Sequence, residues 1–416
     1  MRPVIRKSTN SNRMKIAIIC FNLFTAGGAR LVFNLAQSLG AQGEKVIIYT
    51  PKFEGTDFPD LAEGLEIKVV EKEINFFKSN KPRNIFDWIW KKIKHEREFI
   101  KTSRAIAELM DADFDAVNVH DSSYRVGYYY KRKNPNAKII WTVNGEPFQY
   151  LSRKKLMRDI LGYCYQFLKR LTSYKFLNAI DGAVVLANGD REWFKGSPIR
   201  NVSVVRAGLD FKKFYAPVKD FQEKARKKYV KLMALGALNV FRRYEDVIQA
   251  VKYLREWNYD ASSVIFAANV WNENKYQADL LELIRENNLE KFVEMRFSGV
   301  SEKELAGLYQ DSDIFIQAVY VPPPGHHGWG LVNFEAMAAG LPVILCRAST
   351  ATEVLIDGVS AFFVDPLSPR QIAEKVKLCI DHPDIYAKVA KSGQDVAQSM
   401  TWEKYSKEIL ILLKKA

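Results

Sequence analysis

The sequence predicts two α/β domains, each a doubly wound parallel sheet, facing one another across a single cleft. Short Val- and Ile-rich runs, too continuously apolar to be half exposed, alternate with longer stretches of helical period, as strands of a parallel sheet covered on both faces require. The runs fall into two series separated by a turn-rich stretch, and 416 residues with 48% hydrophobic content suffice for two cores.

The elements follow in order. The first 13 residues, MRPVIRKSTNSNR, read as a basic polar tail, followed by a buried first strand, KIAIICF (15–21). KVIIYT (45–50), AVNVH (116–120), KIIWTV (138–143) and GAVVLA (182–187) continue the first series. The second comprises KLMALG (231–236), SVIFAAN (263–269), VEMRFSG (293–299), IFIQAV (314–319), PVILC (342–346) and SAFFVD (360–365). Between them VVRAGLDFKKFYAPVKDFQ shows no sustained period, which places the boundary near 210–225. The expected division is a tail at 1–13, domains at 14–215 and 225–396, and a last helix at 397–416 crossing back to the first domain. Open parallel sheets bind ligands at the carboxyl ends of their strands, so two facing sheets share one cleft.

Cys20, Cys164, Cys346 and Cys379 form no Cys-x-x-Cys pair, which argues for a reducing compartment and against a disulfide framework or zinc site. No run reaches the roughly 18 apolar residues of a membrane span. Residues 1–210 carry 35 Lys+Arg against 22 Asp+Glu, a charge of +13 out of the total +14. The first half is therefore built to meet something anionic, with nucleic acid and an acidic membrane surface as the candidates.

Several motifs sit where a cleft is expected. Gly27 and Gly28 lie between the first strand and a helix, where bare backbone approaches a ligand closely and the helix start favours a phosphate. His120 ends one strand, and Asn144, Gly145 and Glu146 follow the next. His120 suits either binding and proton chemistry or simple satisfaction by a loop. Arg242 and Arg243 precede an amphipathic helix and suit bidentate contact with phosphate oxygens, or else a solvated helix start beside Glu245 and Asp246. In HHGWGLVNFEAMAAGLPVI (326–344), the amides around Gly330, Leu331 and Val332 are placed for a phosphate, and Glu335 for hydroxyl groups. A sugar attached to a diphosphate offers both. His326 and His327 make a poor metal pair, being adjacent with no third ligand evident.

GWGLVNFEAMAAGLPVILCRASTATEVLIDGVSAFFVDP resembles the signature of family 4 glycosyltransferases, retaining enzymes of the GT-B fold that use nucleotide sugars. The likeness runs from TAGGARLVFNLAQSLGAQGEKVIIYT to TWEKYSKEI (401–409) and is densest over 297–366. It implies that Glu335 holds the ribose, that the amides of Leu331 and Val332 meet the diphosphate, that Gly27 and Gly28 form the N-terminal glycine loop, that His120 faces the donor sugar, and that Ser298 and Gly299 cup the base. It implies no cofactor and no metal.

The sequence also departs from that pattern. His327 stands where the family has its first Glu, a contact of the donor sugar, and imidazole donates where carboxylate accepts. Ala237 replaces an Arg that clamps the diphosphate, leaving Arg242 or Arg243 to serve, and Asn144 stands where the family often has His. Residues 151–179 carry seven Lys+Arg and one Asp among Tyr, Phe and Leu at helical spacing, and 84–104 joins Trp88 and Trp90 to a second basic cluster. These segments fit an anionic membrane surface or a lipid-linked acceptor, or ordinary amphipathic helices. The expectation is a cytoplasmic, membrane-peripheral hexosyltransferase that takes a GDP- or UDP-linked sugar to a lipid-linked or membrane-associated glycan and binds no nucleic acid. The alternative is a partner subunit that keeps the fold and the nucleotide-sugar site without turnover.

Overall fold

The computed structural model describes residues 13–21, 23, 27–53, 59–70, 84–145, 147, 157–322 and 328–415. Seven strands, β1 (Lys15–Ile19), β2 (Lys45–Thr50), β3 (Glu66–Val69), β4 (Ala116–His120), β5 (Lys138–Val143), β6 (Gly182–Val185) and β7 (Val202–Val204), make the first sheet in the order β3-β2-β1-β4-β5-β6-β7. Six more, β8 (Tyr229–Ala237), β9 (Asp260–Ala268), β10 (Val293–Arg296), β11 (Ile314–Gln317), β12 (Val343–Cys346) and β13 (Phe362–Val364), make the second in the order β10-β9-β8-β11-β12-β13. All pairings are parallel, with Ile16 opposite Ala116 in one sheet and Ile314 opposite Leu232 in the other. β3 and β7 are edge strands that the sequence pattern did not reveal. Each is three or four residues long and half-buried or exposed throughout, so neither shows the apolar run of the interior strands.

Strand order reverses between β1 and β4 in the first sheet and between β8 and β11 in the second. Loops leaving such a pair run in opposite directions and open a crevice at their carboxyl ends. The Gly27–Ala41 helix follows β1, and His120 closes β4. Arg242 follows β8, and the Gly328–Gly330 turn follows β11. Each domain thus brings its crevice to the shared face.

Two stretches of chain join the domains side by side. Leu209 N–H donates to Met400 O at 2.9 Å, and Leu209 forms a β-bridge with Thr401. A β-carbon at Gly208 would collide with the Thr401–Trp402 backbone, so this crossing needs glycine. The Trp402–Lys415 helix then packs against the Gly27–Ala41 helix and beneath β4 and β5. Ser406 Oγ lies 2.7 Å from Ser38 Oγ, and Tyr405, Ile409 and Leu413 are fully buried. They belong to one apolar core that includes Leu35 of the first domain, Phe214 of the connection and Phe334 of the second domain.

Candidate active site

The first domain's half is built on β4 and β5. His120, wholly buried at the end of β4, places Nε2 2.7 Å from Asn118 Oδ1. Asn118 Nδ2 donates to Ile140 O at 3.1 Å and to Thr142 Oγ1 at 2.9 Å. A carbonyl only accepts, so the amide is oriented with Oδ1 toward the imidazole, and Nε2 carries the ring proton. Burial pushes the His120 pKa down to about 3, leaving a neutral ring that is no proton donor near neutrality. Asp121 turns the chain with φ of 45°. Its carboxylate accepts from Asn144 N at 2.8 Å and Asn144 Nδ2 at 3.0 Å, while its carbonyl accepts from Trp141 Nε1. Burial raises the Asp121 pKa, and the two bonds from Asn144 oppose that shift. A β-carbon on Gly28 would stand 3.8 Å from Asn144 Nδ2 and 4.0 Å from Asp121 Oδ2, so the glycine loop rests on this pair.

The second domain's half centres on Gly330, whose φ of 72° ends the Gly-Trp-Gly turn and starts the Leu331–Ala338 helix. A β-carbon there would meet Asn333 Nδ2 at 2.9 Å and the Gln317 amide at 3.2 Å. Asn333 Nδ2 donates to Gln317 Oε1 at 2.7 Å, anchoring the first helical turn to the end of β11. Its N-cap, Gly330, supplies no side-chain cap, so among the described residues the first amides, Leu331 and Val332, are available to an incoming anion. Trp329 is buried, stacked on Phe334 with Arg206 over its ring, and Thr350 Oγ1 donates to Gly328 O. Gly328 faces the other half, its absent β-carbon 3.7 Å from Asn144 O.

The two arginines separate. Arg243 has left-handed backbone, φ 55°, and its guanidinium is held by Glu245 and by Asp246 Oδ1 at 2.8 Å. It is engaged at the start of its own helix, the arrangement beside Glu245 and Asp246 that the sequence left open as the alternative to a phosphate contact. Arg242 lies instead over Gly236 at the end of β8, its Cζ 2.9 Å from where a β-carbon on that glycine would stand. That end of β8 borders the crevice.

Glu335 is fully buried, with Arg30 Nη1 2.7 Å from Oε1 and Tyr309 OH donating to Oε2 at 3.0 Å. Arg30 comes from the first domain, so this pair spans the cleft, and in this state no solvent-facing side of the carboxylate is left for a ribose. Ser298 and Gly299 are exposed, with nothing within 4 Å of the Gly299 β-position. Glu146 and His327, with His326, lie outside the described residues. Gly27 begins its helix.

Sequence reasoning missed Arg30, Asp121 and Tyr309. It missed also Glu353, whose carboxylate crosses the cleft to accept from Asn188 N at 2.8 and 2.9 Å and from Gly189 N at 3.3 Å, and pairs with Arg206 at 3.0 Å. Asp121 could have been found as the carboxylate directly following a strand-end His; the others had no local signal. Among the described residues no group of three or more His, Cys, Asp or Glu gathers as a metal site would need.

A Glycosyltransferase Family 4 model matches residues 25–213, and a Glycosyl transferases group 1 model matches residues 217–396, which takes in both domains. The chain belongs to glycosyltransferase family 4. Mannosylfructose-phosphate synthase of Agrobacterium fabrum is 21% identical over 410 residues, covering 94% of this chain and 86% of that one. Sucrose synthase 5 of Oryza sativa subsp. japonica is 32% identical over 99 residues, but that match spans only 23% of this chain and 12% of the synthase. Among solved structures, sucrose-phosphate synthase from Thermosynechococcus elongatus superposes with a TM-score of 0.74 at 17% identity, covering 97% of this chain and 99% of that one. Anabaena Alr3699/HepE in complex with UDP and glucose gives 0.70 at 15%, covering 97% and 100%. The fold is GT-B, and the chain is a glycosyltransferase.

Proposed function

We propose that this family 4 glycosyltransferase moves a hexose from a UDP- or GDP-linked donor, with retention at the anomeric carbon, to a lipid-linked or membrane-associated glycan. The uncapped start of the Leu331–Ala338 helix carries the donor half of the reading, because it faces the Gly28, Asp121 and Asn144 cluster across the cleft. A diphosphate docked on the Leu331 and Val332 amides, with Arg242 beside it, leaves as a stabilised anion when the anomeric bond breaks. Ser298 and Gly299 are assigned to the base and Glu335 to the ribose. The hexose points toward His120 and Asn144. His120 binds a sugar hydroxyl in its neutral form. No resident metal or cofactor belongs to this reading; the fixed amides and Arg242 supply the positive field.

Two helices of the first domain support the acceptor half. The Ile85–Leu109 and Met157–Leu177 helices meet through Trp88 against Tyr165 and through Glu96, which accepts from Tyr165 OH and pairs with Lys169. Outside that contact, Phe86, Ile89, Trp90 and Ile93 stay exposed on the first, as do Phe167, Leu168 and Leu171 on the second, with Trp90 at 62% and Phe86 at 78%. Lys91, Lys92 and Lys94 lie among the first set and Arg170 among the second. Apolar side chains interleaved with cations suit the interface of an anionic bilayer. Among the described residues no helix is long and apolar enough to cross one; the proposed location, at a membrane's cytoplasmic face as a peripheral protein, is supported by these two helices alone.

The test follows anomeric proton signals while the protein meets UDP-, GDP- and ADP-hexoses with a lipid extract as acceptor source. Consumption of a UDP or GDP donor with an α product from an α donor supports the reading, and an inverted product refutes retention. Flotation with vesicles containing phosphatidylserine, lost in a Phe86→Ser/Trp90→Ser variant, supports the membrane half; equal flotation of both proteins refutes it.

A further inference from the structure

Arg30 sits in the first turn of the Gly27–Ala41 helix and reaches from the first domain to the second, where its Nη1 stands 2.7 Å from Glu335 Oε1. Glu335 has no exposed surface, and 17% of the Arg30 side chain is exposed. The cavity beside the pair, lined by Asn34, Lys213 and Leu331 among others, holds about 30 Å³, room for a water molecule or two and not for a pentose. Leu331 starts the helix four residues before Glu335, about 6 Å along the axis. The guanidinium thus contacts the carboxylate assigned to the ribose, on a residue about one helical turn along from the amides assigned to the diphosphate.

We propose that Arg30 is a donor-binding residue that exchanges partners: it neutralises Glu335 in the state seen here and passes to the donor's diphosphate when the ribose hydroxyls take Glu335. The inference rests on the reading of Glu335 as the ribose carboxylate. Charge is conserved in the exchange, since the buried carboxylate gives up its cation only as hydroxyl donors arrive and the diphosphate brings its own negative charge to the arginine. The guanidinium fork matches two phosphate oxygens at once, which a lysine would not. Tyr309 keeps its bond to Oε2 throughout and holds the carboxylate plane.

The two halves of the exchange oppose each other, so nucleoside and nucleoside diphosphate separate them. The full chain is titrated calorimetrically with uridine and UDP, and with guanosine and GDP, in wild type and in Arg30→Gln, Arg30→Lys and Glu335→Gln variants, each checked for an intact thermal transition. In Arg30→Gln, where no cation competes for Glu335, the nucleoside is expected to bind several-fold tighter, while the diphosphate binds roughly tenfold or more weakly for want of its cation. Arg30→Lys keeps the charge and loses the fork, so nucleoside affinity stays near wild type and diphosphate affinity falls part of the way. Should Arg30→Gln not fold, the Arg30→Lys pattern decides. Equal shifts for nucleoside and diphosphate would make Arg30 a structural strut and overturn the exchange. Tighter binding of both would make it a plug with no diphosphate role and overturn it as well. Unchanged nucleoside and diphosphate affinity in Glu335→Gln would instead remove the ribose assignment beneath it.

Discussion

Glu353 offers a measurable handle on how the two domains are held together. Its carboxylate accepts from the Asn188 amide with both oxygens, at 2.8 and 2.9 Å, adds Gly189 N at 3.3 Å, and pairs with Arg206 at 3.0 Å. One charge-assisted bond to a backbone amide is worth ~1.5 kcal/mol, and an ion pair whose side chains are 21% and 32% exposed adds ~0.5 kcal/mol after solvent screening. Glu353→Ala should therefore weaken the contact by about 2 kcal/mol, or roughly 30-fold in the ratio of joined to parted domains at this edge. Native-state hydrogen exchange reads it directly, because the Asn188 and Gly189 amides lose their acceptor and should exchange some tens of times faster. Small-angle scattering should register a larger radius of gyration. Exchange at both amides within a factor of two of wild type, with unchanged scattering, would show that Glu353 follows the closed arrangement without stabilising it.

Further expectations concern single groups. Arg242→Ala should weaken UDP or GDP binding roughly tenfold with little change in Tm, whereas Arg243→Ala, by stranding the buried Asp246, should lower Tm and leave nucleotide affinity nearly unchanged; calorimetry and thermal melts separate the two. His120 titrates near 3 in the fold against 6.5 in the unfolded chain, so the unfolded state takes up the proton first. Its contribution to stability is complete above pH 6.5 and falls by up to ~1.4 kcal/mol per pH unit on acidification toward 3, and His120→Gln should flatten that part of the stability profile measured by urea unfolding. Burial, then the neighbouring Glu353 charge, push Asp190 up to about 7 while a hydrogen bond from the Ala187 backbone opposes them. Its folded form binds the extra proton between 3.8 and 7, so stability is lost as pH rises through that window. Asp190→Asn should therefore raise stability by roughly 1–2 kcal/mol at pH 8 and leave it nearly unchanged at pH 4, which thermal melts at the two values would show.

What was legible in the sequence was whatever burial writes locally. The interior strands are mostly apolar, and His120, Asn144 and the Gly330–Glu335 segment stand out as polar or glycine residues at strand ends and a helix start. β3 and β7 stayed hidden because an edge strand half open to water needs no apolar run. Arg242 and Arg243 could not be told apart as neighbours of one type. What separates them is a left-handed backbone at Arg243 that turns its side chain onto Glu245 and Asp246. Arg30 and Glu353 carried no signal, since each acts on a group from the other domain, and the amphipathic pattern around Arg30 reads as an ordinary helix. Glu335 was assigned to a ribose by resemblance, but its arginine partner was visible only once the domains faced each other.

The crossing at Gly208 and Thr401 also bears on the order in which the molecule is completed. Strands β4 and β5 are synthesised early, yet the helix that seals their underside, Trp402–Lys415, leaves the ribosome only after every strand of the second domain. Until then the early domain keeps the pocket for Tyr405, Ile409 and Leu413 open to water, a sticky face on the nascent chain. Neither half reaches its final stability alone, and a truncation at residue 400 should yield a second domain that survives and a first domain that depends on chaperones.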